Sequence, residues 1–265
     1  MGLFITQIDA FTKQPYAGNP AAVCLLPAPR DDDWMQAIAR EMNLAETAFL
    51  VPEGDAFRLR WFTPTTEVDL CGHATLASAH ALWEQGLLAP DAPALFRTRS
   101  GLLTCTRRGN WIDMDFPATP PVAAESPADL MDGLGRTPIS VWRSPFDYLV
   151  ELEDAMAVRT LQPNLFRLAQ IEARGVIVTA QSDVPDYDFI SRFFAPRAGV
   201  PEDPVTGSAH CCLGPFWGTR LSKAELVGYQ ASARGGVVRV RLADARVVLS
   251  GQAVTVLRGD LVTEA

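Results

Sequence analysis

The sequence predicts an α/β protein with mixed sheets, built as two similar halves. One indication is a segment that occurs twice. Residues 60–64 (RWFTP) lead to residues 71–74 (CGHA), and residues 192–196 (RFFAP) lead to residues 206–209 (TGSA). The copies are offset by 132 residues at the first motif and by 135 at the second. The other indication is that short apolar strands alternate with helices without a low-complexity segment. Duplicated halves lead us to expect a site between them.

Composition indicates a soluble protein of enzyme size. The chain has 265 residues, of which 48% are hydrophobic and 20% charged, so it can bury a core. Its net charge of -8 and its pI near 4.9 argue against a nucleic-acid partner, which requires clustered Lys and Arg. Five cysteines, two of them adjacent, favour a reduced, cytoplasmic protein. The sequence has no apolar run of about 18 residues, so we expect no membrane partner.

The first half carries clear strand signals. Runs of β-branched and aromatic residues lie between Gly, Pro and Asp, and they predict strands at residues 4–10, 21–26, 47–51, 57–62, 102–106 and 111–116. A helix is predicted over residues 33–42, with Asp31 or Asp32 as its N-cap. Its apolar positions share one face, which we expect to be in the core: Met35, Ile38, Ala39 and Met42.

Two further helices begin on small residues. One begins at Gly72 and runs through Trp83 with an almost wholly apolar sequence, so we expect it to be buried in its half. Its counterpart begins at Gly207 and continues through Leu213. A Pro-rich connector, residues 117–127, separates the halves. The predicted domains are residues 1–117 and 118–265, with the last strand left free to cross to the other half.

These helix starts indicate an anion-binding site. Small residues at Gly72–Ala74 and Gly207–Ala209 leave backbone N–H groups and the positive ends of two helix dipoles accessible. Such groups bind anions, most simply a substrate carboxylate. Gly and Ser are also good caps, and for either helix alone that interpretation stays open.

Three ionisable residues near these motifs are candidates for chemistry. Glu46 lies in an apolar stretch, where desolvation would raise its pKa and allow proton exchange near neutral pH. An exposed turn or a backbone cap is the alternative for this residue. Asp203 precedes the second helix start and could accept a hydrogen bond from a substrate, or could simply form the turn. His73 at a helix N-terminus is expected to have a lowered pKa, although a lone His is often structural.

Five motifs in order resemble the PhzF family, the phenazine-biosynthesis-like isomerases. They are residues 18–23 (GNPAAV), 43–49 (NLAETAF), 60–64 (RWFTP), 71–75 (CGHAT) and 202–209 (EDPVTGSA). The resemblance spans nearly the whole chain. It implies a diaminopimelate epimerase-like fold, in which two pseudo-symmetric halves each wrap a curved mixed sheet or barrel around a central helix. It also implies a homodimer, because the family often forms one.

The resemblance assigns site residues by motif. It makes Glu46 the acid/base that moves a proton on the substrate, and it gives catalytic roles to His73, Asp203 and Ser208. The remaining candidates surround these residues and are expected to bind substrate: Asn19, Cys71, Gly72, Ala74, Thr206 and Gly207. The expected substrate is a small carboxylate.

Cys71 leaves the stereochemical outcome open. In two-base epimerases of this fold, paired thiols face the substrate from opposite sides. The duplication pairs Cys71 with Thr206, which argues against a two-thiol racemase. An amino-acid epimerase using Glu46 or Cys71 with Asp203 remains an alternative, as does a catalytically silent small-molecule binder or interaction protein.

No familiar cofactor signature accompanies these residues. The sequence lacks a P-loop, a G-x-S-x-G elbow and a strand followed by G-x-G-x-x-G. His and Cys spacings match no recognised metal-ligand set, so no metal is expected. We therefore predict a cofactor-independent isomerase.

Overall fold

The computed structural model describes residues 3–262. Strands dominate the first part of the chain, as its β-branched and aromatic runs predict. In order, the elements are β1 (Leu3–Ala10), β2 (Asn19–Leu25), α1 (Asp32–Met42), β3 (Glu46–Glu53), β4 (Ala56–Phe62), β5 (Glu67–Val68), α2 (Gly72–Glu84), β6 (Ala94–Thr98), β7 (Gly101–Arg108) and β8 (Trp111–Pro117). The six strands predicted here are confirmed, each to within a few residues at its ends.

The rest of the chain repeats this alternation with more short helices. Its elements are β9 (Val122–Ala123), α3 (Ala128–Leu134), β10 (Ser140–Arg143), β11 (Asp147–Glu151), α4 (Ala155–Thr160), α5 (Leu165–Leu168), β12 (Gly175–Gln181), β13 (Phe189–Ala195), a 3₁₀ turn (Pro196–Ala198), β14 (Val200–Asp203), α6 (Gly207–Leu221), β15 (Glu225–Gln230), β16 (Gly236–Ala243), β17 (Arg246–Gly251) and β18 (Ala253–Leu261). Helix α6 continues past Pro215, beyond the stretch that the sequence indicated.

The chain divides into two compact units. The first comprises Met1–Asp115 and Ser250–Ala265, and the second comprises Phe116–Leu249. The C-terminal stretch of the first unit contains β18, the strand that the sequence left free to belong to either half.

The first unit is a mixed sheet in which antiparallel and parallel pairs alternate. Strands β18, β1 and β2 pair antiparallel, β2 and β3 parallel, β3 and β4 antiparallel, β4 and β6 parallel, and β6 and β7 antiparallel. Helix α1 packs on β3, with Met35 and Ala39 buried as predicted. Phe49 and Phe62 meet edge to face in this core, with ring centroids 5.6 Å apart.

The second unit repeats that pairing pattern. Strands β10 and β11 pair antiparallel, β11 and β12 parallel, β12 and β13 antiparallel, β13 and β15 parallel, and β15 and β16 antiparallel. The sequence of parallel and antiparallel pairs from β10 to β16 is therefore that of β1 to β7. The internal duplication that the motifs indicated is present in the topology.

A buried helix packs against the sheet of each unit. Helix α2 is buried along most of its length and packs on β1, β2, β3 and β18. Helix α6 is buried similarly and packs on β15 and β16, where Gly214 and Gly218 lie so close to Val240 and Leu242 that a Cβ atom would overlap them. Apolar residues on all sides of both helices explain this burial, because neither helix has a polar face to turn toward solvent.

Each unit has an arginine–glutamate pair at the start of its duplicated motif. Arg60 donates two hydrogen bonds of 2.7 Å to the carboxylate of Glu67. Arg192 does the same to Glu202, at 2.7 and 2.9 Å. In both units the guanidinium also lies over the aromatic ring two residues further along, at 5.1 and 4.9 Å. Bidentate geometry of this kind fixes the direction of the following segment.

The described residues include no helix that is both long and apolar enough to cross a lipid bilayer.

Candidate active site

Glu46 is the first residue of β3 and follows directly on the turn that ends α1. That turn depends on Asn43, which adopts a left-handed conformation (φ 49°, ψ 36°). Parallel pairing with β2 places Ala21 opposite Glu46. The Glu46 side chain is 18% exposed, so the apolar flanks seen in the sequence do bury its carboxylate substantially.

His73, in the first turn of α2, connects three of the predicted residues. Its Nε2 atom lies 3.1 Å from Oε2 of Glu46. Its Nδ1 atom lies 3.2 Å from the side-chain amide of Asn19 and 3.5 Å from the sulfur of Cys71. His73 is 5% exposed, and Asn19 is fully buried. The structure thus brings together four predicted residues that come from three separate motifs.

The contact between Glu46 and His73 is close but not a well-formed hydrogen bond. The Asn19 amide faces Nδ1, and Nε2 on the other edge of the ring faces Glu46. Oε2 and Nε2 are nevertheless both buried without a hydrogen-bond partner of acceptable angle among the described residues. Buried polar atoms in this state are costly and commonly mark a functional position.

The pKa of His73 differs from the sequence-based expectation. Burial disfavours the charged ring, but the Cys71 sulfur and the Glu46 carboxylate raise the pKa of His73 well above its usual value. The expected lowering by the helix N-terminus is therefore wrong, because the Cys71 sulfur and the Glu46 carboxylate together favour the charged ring. Burial raises the pKa of the Cys71 thiol to about 11. Cys71 is accordingly a neutral thiol at physiological pH.

The start of α2 lacks a side-chain cap. Cys71 occupies the N-cap position in an extended conformation, and its side chain makes no capping hydrogen bond. The first helical backbone bond runs from Thr75 N to Cys71 O, at 3.1 Å. Gly72, His73 and Ala74 form the turn before that bond, where helix amides have no intrahelical acceptor.

The second unit places Asp203, Thr206, Gly207 and Ser208 together in the turn between β14 and α6. Thr206 is the N-cap of α6, and again its side chain does not cap the helix. Its hydroxyl donates instead to Oδ2 of Asp203, at 2.5 Å. Ser208 is half-buried in the first turn of the helix.

Gln230 holds this turn and was not predicted. Its side-chain amide is fully buried and donates to the backbone oxygen of Asp203 at 2.7 Å and to Thr206 Oγ1 at 3.2 Å. Its side-chain oxygen accepts from Thr206 N at 2.9 Å. A polar residue at the end of the apolar strand β15 was the only signal in the sequence, and it did not identify the partners.

The two units differ in the residues that correspond to the catalytic candidates. The offset of the first motif pairs Glu46 with Val178, but the strand register gives a different counterpart. Val178 lies opposite Arg192 as Phe49 lies opposite Arg60, so Glu46 corresponds to Gly175, the buried first residue of β12. At the offset of the second motif, His73 corresponds to Ser208. The buried carboxylate–imidazole pair therefore occurs in the first unit alone among these equivalent positions.

Comparison with known proteins identifies the family. Residues 8–259 match the model of the phenazine biosynthesis-like proteins, PhzC-PhzF. An uncharacterized isomerase of Halalkalibacterium halodurans is 57% identical, covering 96% of each chain. The phenazine biosynthesis-like domain-containing protein of Homo sapiens is 41% identical, covering 98% of this chain and 99% of its own. The chain belongs to the phenazine biosynthesis-like (PhzF) family.

Solved structures agree with this assignment. A PhzF-family phenazine biosynthesis protein of Enterococcus faecalis superposes with a TM-score of 0.95 at 38% identity, covering 99% of this chain and all of its own. A hydroxyproline epimerase of Agrobacterium vitis superposes with a TM-score of 0.64 at 11% identity, covering 98% and 92%. The second likeness shows the shared epimerase-like fold, as the resemblance implied.

Proposed function

We propose that this protein is a cofactor-independent isomerase in which Glu46 moves a proton on a small carboxylate substrate. The observation that carries the proposal is the 3.1 Å approach of the buried Glu46 carboxylate to the His73 ring. Asn19 and Cys71 hold that ring from its other side. Membership of the PhzF family and relatives named isomerases support the same reaction class.

The reaction needs no redox partner. Glu46 removes a proton from a carbon activated by a neighbouring unsaturated or carboxylate group, and the C–H electrons enter the conjugated system. The proton then returns from the carboxyl group to a different carbon, which shifts the double bond. The partial burial of Glu46 limits the access of water to the proton being moved.

His73 and the helix starts supply the binding part of the proposal. With Nε2 3.1 Å from Oε2, His73 positions the Glu46 carboxylate. We propose that backbone amides in the first turns of α2 (Gly72, Ala74) and α6 (Gly207) bind substrate oxygens, as uncapped helix starts bind anions. Asp203 and Ser208 are proposed to act in catalysis and Thr206 to bind substrate, the roles that the resemblance gives them.

Deuterium incorporation tests the reaction while the substrate is still unidentified. The protein is incubated in D2O with a metabolite extract, and untargeted mass spectrometry records which compounds gain deuterium. Glu46→Gln keeps the size of the side chain but cannot exchange a proton, so we expect incorporation to fall by more than about 100-fold.

A matched control uses the other end of the same strand. Glu53 lies at the end of β3, is 38% exposed and pairs with Arg58 at the surface. Glu53→Gln should label metabolites at the parental rate. Parental labelling by folded Glu46→Gln would end the assignment of Glu46 as the base.

Epimerisation is a second candidate, favoured by the position of Cys71. Its sulfur lies 3.5 Å from His73 Nδ1, close enough to take part in proton transfer. The raised pKa of Cys71 weighs against a thiolate base, so the carboxylate mechanism stays the first proposal. The cytoplasmic location and the homodimer stay predictions.

A further inference from the structure

The two units differ in the connection between their first two strands. In the second unit, β10 and β11 are joined by a tight turn, in which the Ser144 hydroxyl accepts a 2.9 Å hydrogen bond from Asp147 N. In the first unit, the equivalent strands β1 and β2 are joined by residues 11–18, which we call the β1–β2 loop. The long loop therefore occurs in the unit that contains Glu46 and His73.

Close packing fixes the β1–β2 loop at both ends. Phe11 is fully buried, and its ring lies so close to Gly251 that a Cβ atom there would be 2.5 Å away. Gly18 has a φ of 64°, and a Cβ atom on it would lie 2.1 Å from the backbone oxygen of Ala10. These approaches require glycine at both positions and leave the loop little room to change conformation.

Asp9 contacts the loop from the end of β1. Its side chain is fully buried, and its Oδ2 atom accepts a 2.7 Å hydrogen bond from the backbone N–H of Tyr16. Tyr16 has a φ of 69°, a left-handed conformation that residues other than glycine rarely adopt and that surrounding contacts must maintain. A hydrogen bond to a carboxylate is stronger than one between neutral groups, so Asp9 is suited to maintain it.

The same segment carries the amide that contacts His73. Asn19 is the first residue of β2, and its amide nitrogen lies 3.2 Å from His73 Nδ1. Both side chains are buried. Only two residues separate Tyr16 from Asn19, so the conformation of Tyr16 determines the direction in which the chain enters β2.

We propose that Asp9 is a positioning residue for the active site. By holding Tyr16 in its left-handed conformation, Asp9 places the Asn19 amide against His73. It thereby acts on the imidazole beside Glu46 without itself carrying the substrate proton. The placement of Asn19 is independent of the reaction, whereas its effect on turnover rests on the proposed function.

Nitrogen NMR of the histidine rings tests the placement without turnover. The chain has three histidines, so substituting each in turn assigns every ring signal. Asp9→Ala removes the acceptor of Tyr16 N–H, and we expect it to move the His73 Nδ1 signal in the same direction as Asn19→Ala does. The other two histidine signals should stay in place. Asp9→Asn keeps an oxygen acceptor and should undo most of the change.

Asp147 provides the matched control. It is also a buried aspartate beside the turn between two strands, but it belongs to the second unit. Asp147→Asn should leave the His73 signal in place even if it lowers stability. A moved signal of equal size in this variant would overturn the proposal.

A second measurement needs only the parental protein, and it keeps the proposal testable if Asp9→Ala does not fold. Tyr16 is 78% exposed, yet its backbone amide should exchange slowly with D2O because it donates to Asp9. Rapid exchange of this amide would contradict the proposed contact, as would an unmoved His73 signal in folded Asp9→Ala.

Deuterium incorporation into metabolites then measures the effect on the reaction. Asp9→Ala should lower incorporation by about tenfold, because a misplaced imidazole no longer orients the carboxylate. Asp9→Ala combined with Asn19→Ala should lose no more than Asn19→Ala alone, since Asp9 acts through Asn19. Losses that multiply would overturn this route.

The two measurements separate the proposals. Parental incorporation of deuterium with an unmoved His73 signal in Asp9→Ala would leave the isomerase proposal intact and refute the positioning alone. A moved His73 signal in a protein that incorporates no deuterium would support the positioning and remove the isomerase proposal.

Discussion

At the scale of single residues, the chemistry depends on how the buried carboxylate and imidazole meet. A well-aligned ion pair between Glu46 and His73 would stabilise the carboxylate and weaken it as a base. The observed contact is short in distance but poorly aligned, so Oε2 keeps the ability to accept a proton from elsewhere. On the other edge of the ring, the Asn19 amide contacts Nδ1 and limits rotation of His73 into a well-aligned hydrogen bond with Glu46.

Cys71 provides the sharpest test at this scale. A buried thiol whose pKa is raised to about 11 is a poor base, so Cys71→Ser should keep deuterium exchange within about tenfold of the parental rate. A thiol-based epimerase should lose more than about 100-fold, because serine is a far weaker acid than cysteine. The exchange assay in D2O measures both, and loss of exchange in folded Cys71→Ser would favour the epimerase.

The sequence indicated which residues meet in the first unit, but it did not predict the direction of the His73 pKa shift. The apolar flanks of Glu46 correctly indicated burial, since a carboxylate between such neighbours has little access to solvent. The direction of the His73 pKa was wrong because the sequence shows the helix start but not the carboxylate that folding brings to it from 27 positions earlier. Spatial neighbours from distant segments decide a pKa, and a lone motif does not reveal them.

At the scale of elements, the turn between β14 and α6 depends on one side chain. Gln230 makes three hydrogen bonds to Asp203 and Thr206 and is fully buried. Because the Gln230 amide donates to Thr206 Oγ1, the Thr206 hydroxyl proton is directed to the Asp203 carboxylate. We infer that Gln230 positions Asp203.

Replacing this side chain should destabilise the protein. Gln230→Leu leaves a backbone N–H and a backbone C=O buried without their partner, which should lower the free energy of unfolding by about 2 to 4 kcal/mol. Urea denaturation measures the change. Gln170→Leu is the matched control, because Gln170 is exposed and makes one bond to Phe166 O, and it should change stability by less than about 0.5 kcal/mol. Equal effects of both variants would contradict the role of Gln230.

Element prediction succeeded where the signal was local. The starts of α2 and α6 were found because small residues follow motif turns, and the helices begin at Gly72 and Gly207. The strands of the second unit were not predicted individually. Strand β10 has only four residues, all half-buried, so it shows no alternation of buried and exposed positions. Such strands are defined by pairing with distant segments, which a single sequence does not display.

At the scale of the whole molecule, His210 links stability to pH. It is fully buried in α6, and Nδ1 donates to Thr206 O at 2.8 Å. Burial lowers the pKa of His210 to about 4. The unfolded chain binds this proton below about pH 6.5. Stability should therefore be lost as pH falls from about 6.5 toward 4, because the unfolded state gains the proton first.

Urea unfolding at pH 7.5 and pH 4.5 measures this loss. His210 should account for about 2 to 3 kcal/mol of the decrease. His210→Asn keeps a donor near Thr206 O but cannot be protonated, so its decrease should be smaller by that amount. The comparison cancels the contributions of other groups, and an identical decrease in both proteins would contradict the prediction.

At this scale, the internal duplication is the feature that was best predicted from the sequence. Equivalent arginine–glutamate pairs, Arg60 with Glu67 and Arg192 with Glu202, stabilise the same motif in both units. The matching order of parallel and antiparallel strands confirms that both units have one plan. The two units thus share one topology but differ in the side chains at the candidate catalytic positions.

Gly175 at the position equivalent to Glu46 has a consequence for stereochemistry. A glycine in the second unit cannot deliver or accept a proton, so the proposed mechanism has one carboxylate that both removes and returns it. One base reaches one face of a planar intermediate, and the migration is then suprafacial. Part of the hydrogen removed from a specifically labelled substrate should reappear at the new carbon of the product, carried there by the same carboxyl group before solvent replaces it.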